Sequence, residues 1–313
     1  MYFPYLRGRQ YELIAIRELV EHSLLGKHVT PVIEPVKLTS GLTKTMGVYQ
    51  KNAREIGVVR NPKVGSFRKD LDESDNAKLK DAFYDLLGNE SFISFLFVDS
   101  GISAGCKKLV GSGKKCNEIA TICTSQEAIP WFESLFSRET PRYNFMPDES
   151  ALRRRLPKSK VLFENRFPKQ SRNVDYEKNT DEFFSSDHIY YSQDGYIGFS
   201  DYSVVGDEYS EAGFAPYAVA IHIVYFDQEK NLRVRHFVSD TNDDITDPAG
   251  KVSEALGKLV KWNEEMKLDT YAIRAFEKMY KDKSYPGLGT VKKLAIMHHI
   301  ELMGRYLDEV YEA

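Results

Sequence analysis

The chain has 313 residues, 42% hydrophobic and 28% charged, with a formal charge of −3. That composition excludes a disordered or fibrous protein, and the near-neutral balance supplies no global field for nucleic acid, so any such contact needs a local basic patch. No apolar run approaches the roughly 18 residues that cross a bilayer, and three cysteines in so long a chain read as reduced thiols of a cytoplasmic protein.

The opening Met1-Tyr2-Phe3-Pro4-Tyr5-Leu6-Arg7 lacks the basic-then-apolar layout of a signal peptide and reads as a first strand over 1–9. Leu13, Ile14, Ile16, Leu19 and Val20 then fall at helical spacing within 10–25. A second strand covers 29–37, a weakly periodic helix 39–55, and a third strand 56–61, ended by Pro62. The pattern predicts a helix over 72–87 and a strand over 92–99. Further strands are expected at 118–124, 142–147, 160–166 and 197–202, with helices over 125–136 and 148–156 between them.

Strand and helix thus alternate about eight times before residue 202, which implies parallel strands joined by crossover helices. Fewer than eight strands would leave an open sheet, but eight candidates are present. The expected fold is α/β, a TIM-barrel-like (β/α)8 core over 1–205. Beyond it, 206–313 carries β-rich runs at 217–226 and 232–238, then helical stretches at 249–266, 270–281 and 289–312. These predict an appended β-hairpin and helical layer.

Several strand candidates end abruptly on a charged or amide residue. They are Ile33-Glu34-Pro35, Val59-Arg60-Asn61-Pro62, Val98-Asp99, Phe163-Glu164-Asn165-Arg166 and Ser200-Asp201-Tyr202. In α/β folds the C-terminal ends of parallel strands gather the chemistry. If all five meet at one rim, Glu34, Asp99, Glu164 and Asp201 need a cation, arginines or shared protons to coexist. Oxygen ligands of this kind suit magnesium or manganese. Arg7, Arg9, Arg60 and Arg166, with Asn61, would grip an anionic phosphate ester while the metal polarises it. The other reading is a set of structural arginine–carboxylate pairs around the barrel top, or an interaction surface.

Other features are weaker. Gly111-Ser112-Gly113-Lys114-Lys115 lacks the upstream glycine and the Ser/Thr of a phosphate loop. Arg153-Arg154-Arg155 is the densest basic cluster, either a solvated face or a contact for nucleic acid, nucleotide or an acidic partner. His222 and His236 fall on facing strands of the expected hairpin and are placed to pair across it. His298-His299, adjacent on a helix, point to different faces and do not form a joint metal site.

The block Tyr2-Phe3-Pro4-Tyr5-Leu6-Arg7-Gly8-Arg9-Gln10-Tyr11-Glu12-Leu13, with the proline-bracketed Glu34, resembles the opening of the "beta protein" family. Asn61-Pro62 with Gly65 and Phe67, and Gly198-Phe199-Ser200-Asp201-Tyr202 followed by Ala218-Val219-Ala220-Ile221-His222, match further blocks. That family occurs in phages and in mobile-element and defence neighbourhoods of bacteria. The resemblance implies a phage-associated or antiphage protein of barrel-like fold, and assigns no catalytic residues. Two functions are therefore expected. One is a metal-assisted hydrolase of a phosphate-containing substrate. The other is a non-catalytic sensor or scaffold that recognises a phage protein or regulates a neighbouring nuclease-like partner.

Overall fold

A computed structural model describes residues 1–73, 77–156, 158–210 and 216–312. By its contacts the chain divides into two units, the first of 1–23, 28–165 and 187–202, the second of 24–27, 166–186 and 203–313.

The first unit alternates strand and helix from its start. In chain order it holds β1 (Tyr5–Leu6), α1 (Gln10–Glu21), β2 (Val32–Ile33), α2 (Ser40–Lys51), β3 (Ile56–Val59), α3 (Phe67–Asp72) and α4 (Ala77–Leu87). It continues with β4 (Phe92–Phe97), α5 (Ile102–Gly111), β5 (Ile119–Ile122), α6 (Ile129–Phe136), β6 (Tyr143–Met146), α7 (Ser150–Arg155) and β7 (Lys160–Glu164). After β8 (Asp181–Ser185), which belongs to the second unit, come α8 (Asp187–Tyr190) and β9 (Gly198–Asp201).

The eight strands β1-β2-β3-β4-β5-β6-β7-β9 form one parallel sheet in sequence order. A parallel bridge between Tyr2 and Phe199 joins its two edges, with Phe3 N–H donating to Phe199 O at 2.9 Å and Phe199 N–H to Met1 O at 3.0 Å. The chain is a (β/α)8 barrel, as its alternation predicts. Of the expected helix over 72–87 the structure shows α4; α3 precedes it and was not expected, and positions 74–76 lie outside the described residues.

Strand side chains alternate between the two faces of a sheet, and here one set fills the barrel. Phe3, Tyr5, Val32, Val59, Ile93, Phe95, Phe97, Tyr143, Phe145, Val161 and Phe163 form a single buried cluster, against which Met1 and Tyr202 pack. Gly57 belongs to this interior because a Cβ there would stand 2.5 Å from the Phe95 ring and 3.0 Å from Val32. The opposite set, Phe199, Glu164 and Ser94 among them, points out toward the helical layer.

The second unit is built on an antiparallel sheet of order β10 (Ala220–Phe226), β11 (Leu232–Val238), β8. The β10–β11 hairpin appears where the sequence predicts it, and its register sets His222 opposite His236. The pairing of β8 with β11 was not anticipated: the residues around 181–185 lie within the stretch read as barrel. Three helices follow, α9 (Pro248–Met266), α10 (Tyr271–Lys281) and α11 (Leu288–Glu312). Among the described residues no helix is long and apolar enough to cross a membrane.

Candidate functional site at the barrel mouth

Glu34 follows β2 directly and shares the inward direction of Val32. It is fully buried. The Tyr5 hydroxyl donates to its Oε2 at 2.8 Å, the Arg7 guanidinium pairs with the same oxygen, and the Lys63 backbone N–H donates to Oε1 at 2.7 Å. The sequence fixes this arrangement locally. Gly8 turns the chain with φ of +63°, and Gly65, with φ of +76°, presses so close to Val36 that a Cβ would meet its carbonyl oxygen at 2.2 Å. Only glycine allows that approach in a left-handed conformation. Ser66 and Phe67 N–H then donate to Val36 O, so the loop after β3 is laced to the segment after β2 with Glu34 as the staple.

Around this pair the mouth is filled with rings. Tyr5, Phe163 and Tyr202 contact one another with centroids 4.9–5.2 Å apart, and the Arg7 guanidinium lies 5.7 Å from the Tyr5 ring and 5.3 Å from the Tyr202 ring. Burial and the Glu34 carboxylate hold the Tyr5 phenol well above its ordinary pKa. It therefore stays a proton donor to Glu34.

Asp99 stands at the same sector of the rim. It pairs with the Lys63 ammonium, and Gly101 N–H donates to its Oδ1 at 2.7 Å. Partial burial raises its pKa, but the bonds from Lys63 and Gly101 outweigh that and hold it below the usual carboxylate value. Lys63 thus reaches Glu34 through its backbone and Asp99 through its side chain. It was missed in the sequence, although its place just after Asn61-Pro62 at a strand end was a usable signal.

The other expected site residues do not join this group. Asp201 takes the outward parity, since Gly198 faces Phe3 and Tyr202 packs on the interior cluster. It is 4% exposed and accepts from the Tyr2 hydroxyl at 2.9 Å, and Tyr2 in turn stacks on Phe199. Glu164, next to inward Phe163, also points outward and accepts from Asp148 N–H at 2.8 Å. Arg60, next to inward Val59, lies on the outer wall with its Nη1 3.3 Å from Ser94 Oγ.

Asn61 mimics a peptide: its amide donates to Phe97 O at 3.0 Å and accepts from Phe97 N–H at 2.8 Å, extending the β3–β4 ladder. Arg9 is the residue before α1, whose backbone N–H meets Glu12 Oε2 at 3.4 Å. Arg166 begins the 166–186 segment of the second unit.

The expected convergence of Glu34, Asp99, Glu164 and Asp201 is therefore not found. They are divided between the inside and the outside of the barrel wall, and among the described residues no three His, Cys, Asp or Glu side chains stand together as a metal site. The residues present do not fit the magnesium or manganese site expected from them.

The remaining candidates resolve structurally. Arg153 pairs with Asp148 at 2.9 Å and Arg155 binds Glu133 through two 2.6 Å bonds, while Arg154 and Arg155 are both exposed. His222 and His236 meet Nδ1 to Nδ1 at 2.8 Å beside Phe167 and Tyr176. His298 bridges Thr270 Oγ at 2.8 Å and Val224 O at 2.7 Å, while His299 turns to Ser203 at 3.0 Å.

The fold and site define a (β/α)8-barrel protein whose mouth is closed by its own ion pairs and aromatic rings. Compared with models of protein families, with curated proteins and with solved structures, the chain finds no match.

Proposed function

We propose that this barrel is a recognition protein, a sensor or scaffold that meets a phage component or a neighbouring nuclease in phage–host conflict. The observation that carries the non-catalytic reading is the condition of Glu34. It is fully buried, and Tyr5, Arg7 and Lys63 N–H already occupy its two oxygens. A carboxylate has about four acceptor positions, so little remains for a metal ion or for a proton in transit. The acids expected to share a metal stand on opposite sides of the barrel wall, which further favours binding over metal-assisted hydrolysis. The phage context rests on the resemblance of the opening block and of Glu34 to the "beta protein" family.

Melting in magnesium or manganese against a chelator, together with phage challenge of expressing cells, tests this reading. A ligand that binds only the folded state raises the melting temperature, and none is expected from either ion. Asp99→Asn is expected to keep whatever protection the wild-type chain gives. A saturable metal-dependent shift, joined to loss of protection in a folded Asp99→Asn variant, would return the hydrolase.

A further inference from the structure

The outer wall of the barrel holds a cleft of about 450 Å³ between the ends of α4 and α5, over β4. Its lining includes Arg60, Tyr84, Ser94, Lys108, Lys114 and Glu118. Arg60 is the unusual member. Its guanidinium lies 5.8 Å from the Phe83 ring and 5.9 Å from the Tyr84 ring, and its one hydrogen bond among the described residues is to the Ser94 hydroxyl. Among the described residues no carboxylate forms an ion pair with it. Burial lowers its pKa, with the Tyr84 phenol the opposing influence. A half-buried cation without a counter-ion is costly, and the fold retains it facing open space.

The charge around it has the same sign. Lys108 sits 5.7 Å from the other partner of that stack, the Tyr84 ring, and Lys114 lines the cleft from the loop after α5. Opposing them are Glu118, whose Oε2 is engaged by Lys115 N–H at 2.7 Å, and the partial negative charge at the C-terminal turns of α4 and α5. Three cations face one committed carboxylate, so the cleft remains cationic.

We propose that this cleft binds a phosphate-bearing small molecule of mononucleotide size, with the phosphoryl group on Arg60 and flanked by Lys108 and Lys114. A guanidinium presents a planar fork that matches phosphate, and ammonium groups supply point charges beside it. The volume falls within the roughly 300–1,000 Å³ of small-molecule sites and exceeds what a bare anion fills. The Ser94 hydroxyl orients the guanidinium from the floor. This site is independent of the barrel mouth and of the recognition role proposed for it.

Thermal melting of the full chain, titrated with inorganic phosphate, with adenosine 5′-monophosphate and with adenosine at constant ionic strength, reads the site directly. Saturable stabilisation by phosphate, stronger by the monophosphate and absent with adenosine, is expected. Arg60→Met keeps the stem over Phe83 and Tyr84 and removes the fork, and is expected to weaken binding by about tenfold or more. The pair Lys108→Glu with Lys114→Glu, the first exposed and the second half-buried, tests the same site without touching a fully buried group, and is expected to abolish the shift. No saturable shift in the wild-type chain up to millimolar ligand, or full retention of it in the double lysine variant, overturns the proposal.

Discussion

Replacing Glu34 by glutamine isolates what the barrel mouth is for. The substitution keeps the volume and one acceptor oxygen but removes the charge, and its amide turns a donor toward either the Tyr5–Arg7 side or the Lys63 N–H. Only 12% of the Arg7 side chain is exposed and none of Glu34, so the loss is that of a buried pair. Removing one partner of such a pair costs about 3–5 kcal/mol, and the slight exposure of Arg7 puts the expected loss near the lower end. Urea unfolding followed by circular dichroism is the assay, with Arg7→Met as the reciprocal variant.

The pair Arg7→Met with Glu34→Leu should be less destabilised than the sum of its single changes by about 2 kcal/mol, because neither charge is then left buried alone. A Glu34→Gln protein within about 1 kcal/mol of wild type would refute the structural role, since surface-like effects are of that size. Glu34 would then be held for a ligand.

Two further outcomes follow from the interior. Gly57→Ala pushes a methyl to 2.5 Å from the Phe95 ring inside the barrel, and overpacking of this kind is expected to cost about 1–3 kcal/mol in the same unfolding assay; an unchanged midpoint would mean that the barrel interior is loosely packed. His298 has its pKa lowered to about 4 by burial, against a weaker raising contribution from Val224 O. The unfolded chain therefore takes up the proton first as the pH falls. The stability is complete above the ordinary value of 6.5 and is lost on descending toward 4, amounting to about 2 kcal/mol between pH 7 and 5. His298→Gln, which keeps a donor for Val224 O and an acceptor for Thr270, should flatten that slope, and an unchanged slope would rule out a neutral buried histidine there.

The eight parallel strands were legible because both faces of each are covered, which writes them as continuous apolar runs such as Phe92–Phe97 and Ile119–Ile122. That same continuity hides which residues point inward. In Val161-Leu162-Phe163-Glu164 every apolar position fits either face, so nothing local tells that Phe163 is inside and Glu164 outside. Register by a single residue separates Glu34, which enters the mouth, from Arg60, Glu164 and Asp201, which leave it. The strand Asp181–Ser185 was illegible for another reason. Its run Asp181-Glu182-Phe183-Phe184-Ser185 does not alternate, and its partner β11 lies about fifty residues further on.

Polar strand ends in a barrel offer side chains to a common centre only where that centre has room. Here the rings of Tyr5, Phe163 and Tyr202 pack together across it, and Arg7 caps the Tyr5 and Tyr202 rings while neutralising Glu34. Each contact that closes the mouth also consumes a group that catalysis would need: an acid, a cation, a phenolic proton. On the outer wall the balance is reversed. Among the described residues Arg60 gains no carboxylate for the hydration it loses, and Ser94 beneath it is too small to fill the space between α4 and α5. A fold that satisfies Glu34 three times over and leaves Arg60 with one hydroxyl has its spare binding capacity outside the barrel. Ligand chemistry on this unit is therefore to be sought first between the helices.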